Sequence, residues 1–349
     1  MIKKTALMVS AMALAGCASG GSGGGTTSGS TMFSSPEVIS KESFEKDPKK
    51  YSKSWVSYKG GGVDSFKKVT IPSYTLEVRT DMQGRGYNKM AALLVKGDGA
   101  KSALFMNVSF PWEQHQAMLQ EVATISYGRL KEKFKKAGAE VVEWSSVVSS
   151  NEKAADFNKE RLSMTPVEKG ENMVSLTANG QARLLPGMWV YAASSLSRDA
   201  EIALIFPNFG LGFGYFDGED TPLTITEAHG MGSIKFTPQA QVLTGSGFGY
   251  QSKWHTGTMA LDRTAVSNEP FVKKLVKGDD TREAANQRGE AKRGLTMALH
   301  GAQAHEVAVS TNANLQYQLE IDPVKYKAML LSQLDAAEDL LVERYKNEF

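Results

Sequence analysis

The chain is poor in the residues that most often carry chemistry. Cys17 is the one cysteine in 349 residues, which excludes an intramolecular disulfide and any multi-cysteine zinc or iron–sulfur site. Histidine is scarce and scattered: His115, His229, His255, His300 and His305 are never nearer than five positions apart, a poor spacing for one helix face. Neither sign of charge is in excess, with 40 Lys and Arg against 38 Asp and Glu, so nothing favours nucleic acid as a partner. No G-x-S-x-G elbow, H-E-x-x-H pair or Walker A sequence occurs. The acidic turns at Asp98, Asp217-Gly218-Glu219-Asp220 and Asp279-Asp280 lack the EF-hand ligand spacing. Neither a metal nor a cofactor is therefore expected. A Ser, His and Asp site gathered from distant positions stays open as the enzymatic alternative.

What is present begins at the amino end. Met1-Ile2-Lys3-Lys4 is a short basic start, and Thr5 to Ala15 is an apolar run without a charge. That is the pattern of a secretory signal peptide, and the run is shorter than the ~20 residues a membrane-crossing helix needs. It ends Leu14-Ala15-Gly16-Cys17, which resembles the lipobox of bacterial lipoproteins. The resemblance implies that residues 1–16 are removed and that Cys17 becomes the first mature residue, carrying diacylglycerol and an amide-linked acyl chain such as palmitate. Several acyl chains on one residue hold a protein firmly, since each buried CH₂ adds ~0.8 kcal/mol. The family's inner-membrane retention signal, an Asp after the Cys, is replaced here by Ala18. This implies the outer membrane, with the body facing the periplasm. Loss of Lys3 and Lys4 leaves the mature charges balanced.

Residues 17–35 then read as the lipidated Cys and a Gly/Ser-rich tether, too polar and too poor in apolar surface to order itself. The body, 36–321, has apolar residues enough for a large core: 15 Phe, 11 Tyr and 5 Trp within a 41% hydrophobic chain. Its periodicity predicts an α+β fold, a mixed sheet with packed amphipathic helices, in one or two subdomains meeting near residue 200. Strands are expected at Tyr74–Arg79, Met90–Val95 and Ala103–Phe110, the last two around a Lys96–Gly99 turn. Leu119, Ala123, Tyr127, Leu130, Phe134 and Ala137 recur at steps of four and three, predicting a helix from Trp112 that Gly138 ends. Lys131, Lys133, Lys135 and Lys136 crowd its C-terminal end, where they complement the helix dipole or face an anion. A strand is expected at Ala139–Trp144, a helix at Met188–Asp199, and a strand at Glu201–Phe206 that Pro207 stops. Another is expected at Ile234–Val242, with Pro238 at an edge or bulge. Asp280-Thr281-Arg282-Glu283 reads as a capping box for a helix to His300. Leu315–Ile321 alternates as a strand. Asp322 and Pro323 then open a C-terminal amphipathic helix, 322–349, striped by Tyr326, Leu330, Leu334, Ala337, Leu341 and Tyr345. It is expected to dock on the body, with pairing to a partner as the alternative.

One motif occurs twice: Gly210-Leu211-Gly212-Phe213-Gly214-Tyr215 and Gly245-Ser246-Gly247-Phe248-Gly249-Tyr250. Neither matches the dinucleotide fingerprint. As strands they place the glycines on one face and the large residues on the other. Three readings stand: glycine-rich loops at a sheet end, a contact surface, or a membrane-inserting hairpin. The contact surface would comprise Gly210, Gly212, Phe213, Gly214, Tyr215, Gly247, Phe248, Gly249 and Tyr250.

The order of elements across Leu130–Val142, Ala200–Phe206, Ile234–Gly245 and Ser267-Asn268-Glu269-Pro270 is similar to envelope lipoproteins of the curli-secretion-channel type. That resemblance implies a non-catalytic domain that assembles with itself or with other envelope proteins, and it carries over no functional residue. The expectation is thus a lipid-anchored, non-catalytic envelope protein that binds or scaffolds in envelope assembly or secretion. A periplasmic hydrolase and a pore-forming lipoprotein ring are the alternatives.

Overall fold

A computed structural model describes residues 45–61, 67–87, 103–187, 189–216, 225–229, 232–267, 269–278 and 313–348. These residues belong to one compact unit. The order begins α1 (Pro48–Trp55), β1 (Val56–Gly60), β2 (Lys68–Thr70), β3 (Thr75–Arg79), β4 (Asp81–Tyr87), β5 (Ala103–Ser109), α2 (Trp112–Lys136) and β6 (Glu140–Val141). There follow α3 (Trp144–Ser150), α4 (Glu152–Arg161), β7 (Leu162–Ser163), β8 (Val167–Lys169), β9 (Met173–Thr177), β10 (Arg183–Leu184), α5 (Val190–Ala200) and β11 (Ala203–Phe216). The order closes with β12 (Ile225–His229), β13 (Gly232–Val242), β14 (Gly247–Gln251), β15 (Thr256–Leu261), β16 (Ala265–Ser267), β17 (Val272–Lys277), β18 (Ala313–Ile321) and α6 (Pro323–Lys346). The α+β class with mixed sheets and a C-terminal helix is what forms. Residues 1–44, the Met90–Val95 strand with its turn and the 280–300 helix lie outside the described residues.

The strand β11 organises the larger sheet because its 14 residues exceed the length of any one partner. Along one edge it pairs antiparallel first with β14 (Leu204↔Gln251 to Asn208↔Gly247) and then with β13 (Leu211↔Val242 to Phe216↔Phe236). Along the other it pairs parallel with β2 at 203–204 and with β3 at 208–211. Pro207 does not stop this strand, contrary to the sequence expectation. It falls in the gap between β2 and β3, where a missing N–H breaks no rung to either of them. Pro238 does sit at an irregularity: the β11–β13 register shifts between Gly212 and Gly214, the latter opposite Pro238.

Side chains alternate across β11, and each face has its own cover. Ala203, Ile205, Phe209, Leu211 and Phe213 face the main core with the buried stripes of α2 and α6. Leu204 and Phe206 face a smaller cluster built from α3, α4 and α5 around Trp144, Phe157, Ala193 and Leu196. The expected strand at Ala139–Trp144 shrinks to Glu140–Val141, because Trp144 starts α3 instead. Its ring packs edge-on against Phe157, and its indole N–H donates to Asn158 Oδ1 at 2.9 Å.

The C-terminal helix docks on the body. Asp322 caps it, accepting from the Val324 and Lys325 amides at 3.1 and 3.2 Å. Those bonds hold the Asp322 carboxyl below its usual range. All six residues of the expected stripe are buried. A second, four-stranded sheet, β17-β18-β5-β4, pairs β5 parallel with β18 and each outer strand antiparallel with its inner neighbour. Phe110, just past β5, stacks on Phe213 and meets the Tyr326 ring at a tilt, and so ties that sheet into the main core.

Candidate functional site

The first glycine repeat lies wholly in β11 and the second enters β14 at Gly247 after a turn at Gly245-Ser246, so both run through the middle of the sheet and form no open contact surface. Gly212, Phe213, Gly214, Gly247, Phe248 and Tyr250 are buried, and Gly210, Tyr215 and Gly249 are half-buried. The glycines are on one face, as the alternation requires, but neighbouring side chains fill the space they leave. A Cβ on Gly210 would meet the Leu243 side chain at 3.3 Å, and one on Gly212 would meet Gln241 Oε1 at 2.7 Å. One on Gly214 would strike the Phe236 ring and the Thr237 carbonyl. In the second repeat, Gly245 turns the chain at φ 85° between β13 and β14. The Tyr250 ring lies across Gly257, its cross-strand partner. Its hydroxyl donates to the Gly61 carbonyl at 2.7 Å, and burial raises its ionisation well above normal.

Beside the glycines, on the same face, the sheet carries a polar row. The strand β3 contributes Glu77 and Arg79, two residues apart and both on the face that Gly210 shares through its pairing with Glu77. Asn208 donates to Glu77 Oε1 at 3.1 Å. Arg183 on β10 forms an ion pair with Glu168 on β8, and its charge also reaches Glu77. Burial pushes the Glu77 carboxyl up, against the Asn208 hydrogen bond and the Arg183 charge. Burial also lowers the Arg79 guanidinium from its usual value, although an arginine stays charged at any physiological pH. The Arg79 side chain forms no hydrogen bond or ion pair with another described residue. Chemically, among the described residues, the row offers hydrogen-bonding groups and a half-buried guanidinium, Arg79, and it pairs no nucleophile with a base. It suits recognition of a polar partner. Sequence reasoning misses this row. The available signal was two charges on one face of a strand whose other face is wholly apolar.

The histidines do not converge where they are described. His115 on α2 stacks against Phe110 at 5.8 Å, with burial lowering its pKa. The His255 ring packs against Gly61 in the turn between β14 and β15. The side chain of His229, together with His300 and His305, lies outside the described residues. Next to His255, Trp254 is 63% exposed and is covered on one side by Arg198 of α5, 4.8 Å from the ring centre. Among the described residues no group of His, Cys, Asp and Glu could hold a metal ion, and no helix is long and apolar enough to cross a membrane. Compared with protein-family models, with curated proteins and with solved structures, the chain matches none of them.

Proposed function

We propose that this chain is a lipid-anchored protein of the bacterial cell envelope, held in the outer membrane through Cys17 and facing the periplasm. Its body works by binding or scaffolding, with an envelope protein or further copies of itself as partner. One observation carries the reading: the single cysteine falls at the end of Leu14-Ala15-Gly16-Cys17, behind a basic start and an apolar run and ahead of a Gly/Ser tether. The polar row beside Gly210, where Glu77, Asn208 and the half-buried Arg79 share one face, supports binding as the body's mode of action. Cys17→Ser in the full chain is expected to release the protein from sedimented membranes and to abolish palmitate labelling. Continued pelleting of the variant, or no label on the unaltered protein, overturns the anchor.

A second reading, a pore-forming ring of such lipoproteins, is favoured by the topology of the four-stranded sheet. Tyr87 pairs with Ala103 and Leu104 with Ala313, and Lys277 with Tyr317. The connections 88–102 and 279–312 therefore leave the sheet at the same end, each joining two antiparallel neighbours. The ring predicts stepwise conductance when the purified full-length protein is added to a planar bilayer, and a silent bilayer at matched protein density removes it.

A further inference from the structure

Among the described residues, Glu338 in the middle of α6 is the one acidic or basic residue that is buried. Its side chain has no exposure to solvent. Ser126, on the facing side of α2, donates its hydroxyl to Glu338 Oε1, and the Tyr74 hydroxyl donates to Ser126 Oγ. Tyr74 and Ser126 are equally sealed, so the chain of three groups cannot meet a substrate. It joins α6 to α2 and to the residue preceding β3.

A cluster of charges surrounds the other carboxyl oxygen. From α2, Lys133 Nζ lies 3.4 Å and Arg129 Nε 3.6 Å from Glu338 Oε2. From α6, Asp335 and Asp339 each lie 2.8 Å from Lys133 Nζ, and Asp335 lies 3.8 Å from Arg129. Two cations therefore face two aspartates before Glu338 is counted. With a proton on Glu338 the cluster is neutral; without it, a surplus negative charge sits where water cannot reach it. Burial pushes the Glu338 carboxyl up to about 7, with Asp335 adding to the effect and Arg129, Lys133 and the Ser126 hydrogen bond opposing it.

We propose that Glu338 is a pH-operated latch on the C-terminal helix, closed while the sealed carboxyl holds its proton and loosened when the proton leaves, because the cost of a surplus charge shut off from water then outweighs the stronger Ser126 hydrogen bond and the attraction of Lys133 and Arg129. The folded chain binds this proton more tightly than the unfolded chain does. The latch is therefore fully effective below the ordinary carboxyl range near pH 4.5. It weakens as pH rises through about 7 and has no further dependence above that. This device is independent of whether Cys17 carries lipid.

The test is hydrogen–deuterium exchange of the full chain in detergent, at amides 334–345, corrected for intrinsic exchange chemistry, between pH 5 and 8.5. Protection in the native sequence is expected to fall with rising pH by up to on the order of 10²-fold. Glu338→Gln keeps the shape and the Ser126 hydrogen bond, and it should remove the pH dependence. Asp335→Asn, at the partly exposed rim of the cluster, should move the transition to lower pH because it removes a negative neighbour and frees Lys133. The latch is refuted if Glu338→Gln retains the native pH profile. If that variant does not fold, an unmoved transition in Asp335→Asn refutes it equally.

Discussion

Replacing Gly247 by alanine is expected to cost about 3 kcal/mol or more, while the same change two residues on, at Gly249, costs almost nothing. Both glycines belong to the same G-x-G-F-G-Y repeat, and both are in β14. A Cβ at Gly247 would lie 2.8 Å from Ala260 Cα and closer still to the Met259 carbonyl oxygen. Those atoms are the backbone of the paired strand β15 (Gly247↔Ala260), so no side-chain rotation relieves the clash. The β14–β15 ladder must open, and with it the link from β1 to the sheet centre. At Gly249 the nearest foreign atom to an added methyl is Cη2 of Trp189, at 3.9 Å, which is ordinary contact. Alanine there removes the entropic penalty of glycine in a strand, ~0.5–1 kcal/mol, and adds a little contact. Urea denaturation of the two variants checks the contrast. Similar losses in both would show that close strand approach is not what requires glycine at 247.

Truncating Phe134 to alanine is expected to destabilise the protein by ~3–5 kcal/mol. Phe134 is fully buried near the end of α2, with its ring 5.2 Å from Tyr345 and 5.7 Å from Phe248. Tyr345 in turn meets Phe248 edge-on at 6.1 Å. This triad is where α2, α6 and the second glycine repeat meet. The cavity left by the ring would be walled by three elements that cannot close without moving each other, so collapse is incomplete and the upper part of the range applies. A loss below 1 kcal/mol in the same unfolding measurement would mean that α6 is held elsewhere, at Tyr326 or Leu330.

The strongest periodicities translated directly into structure. The steps of four and three from Leu119 to Phe134, the Asp322-Pro323 start and the alternation over Leu315–Ile321 each form the expected element, because each signal is local. An N-cap needs only its own first turn, and an apolar stripe needs only some core to face. The strand β4 gave no such signal. Gly84 and Gly86 with Asp81 and Arg85 hide its alternation, and it becomes a strand only through β5 and through the Phe216 ring that lies against Gly84. The run through Pro207 was misjudged for the same reason: whether a missing N–H matters depends on which strand, if any, lies opposite it.

The amino-acid order alone settled the α+β class, the docking stripe of the last helix and the placing of the repeat glycines on one strand face. Those follow from side-chain spacing along a single element. Only the assembled fold decided that the glycine face is filled by Leu243, Gln241 and Phe236, that Glu77, Arg79 and Asn208 share one row, and that Glu338 meets Ser126. Each depends on strand register or on helix packing between residues 22 to 212 positions apart, and no local pattern encodes the partner across such a distance.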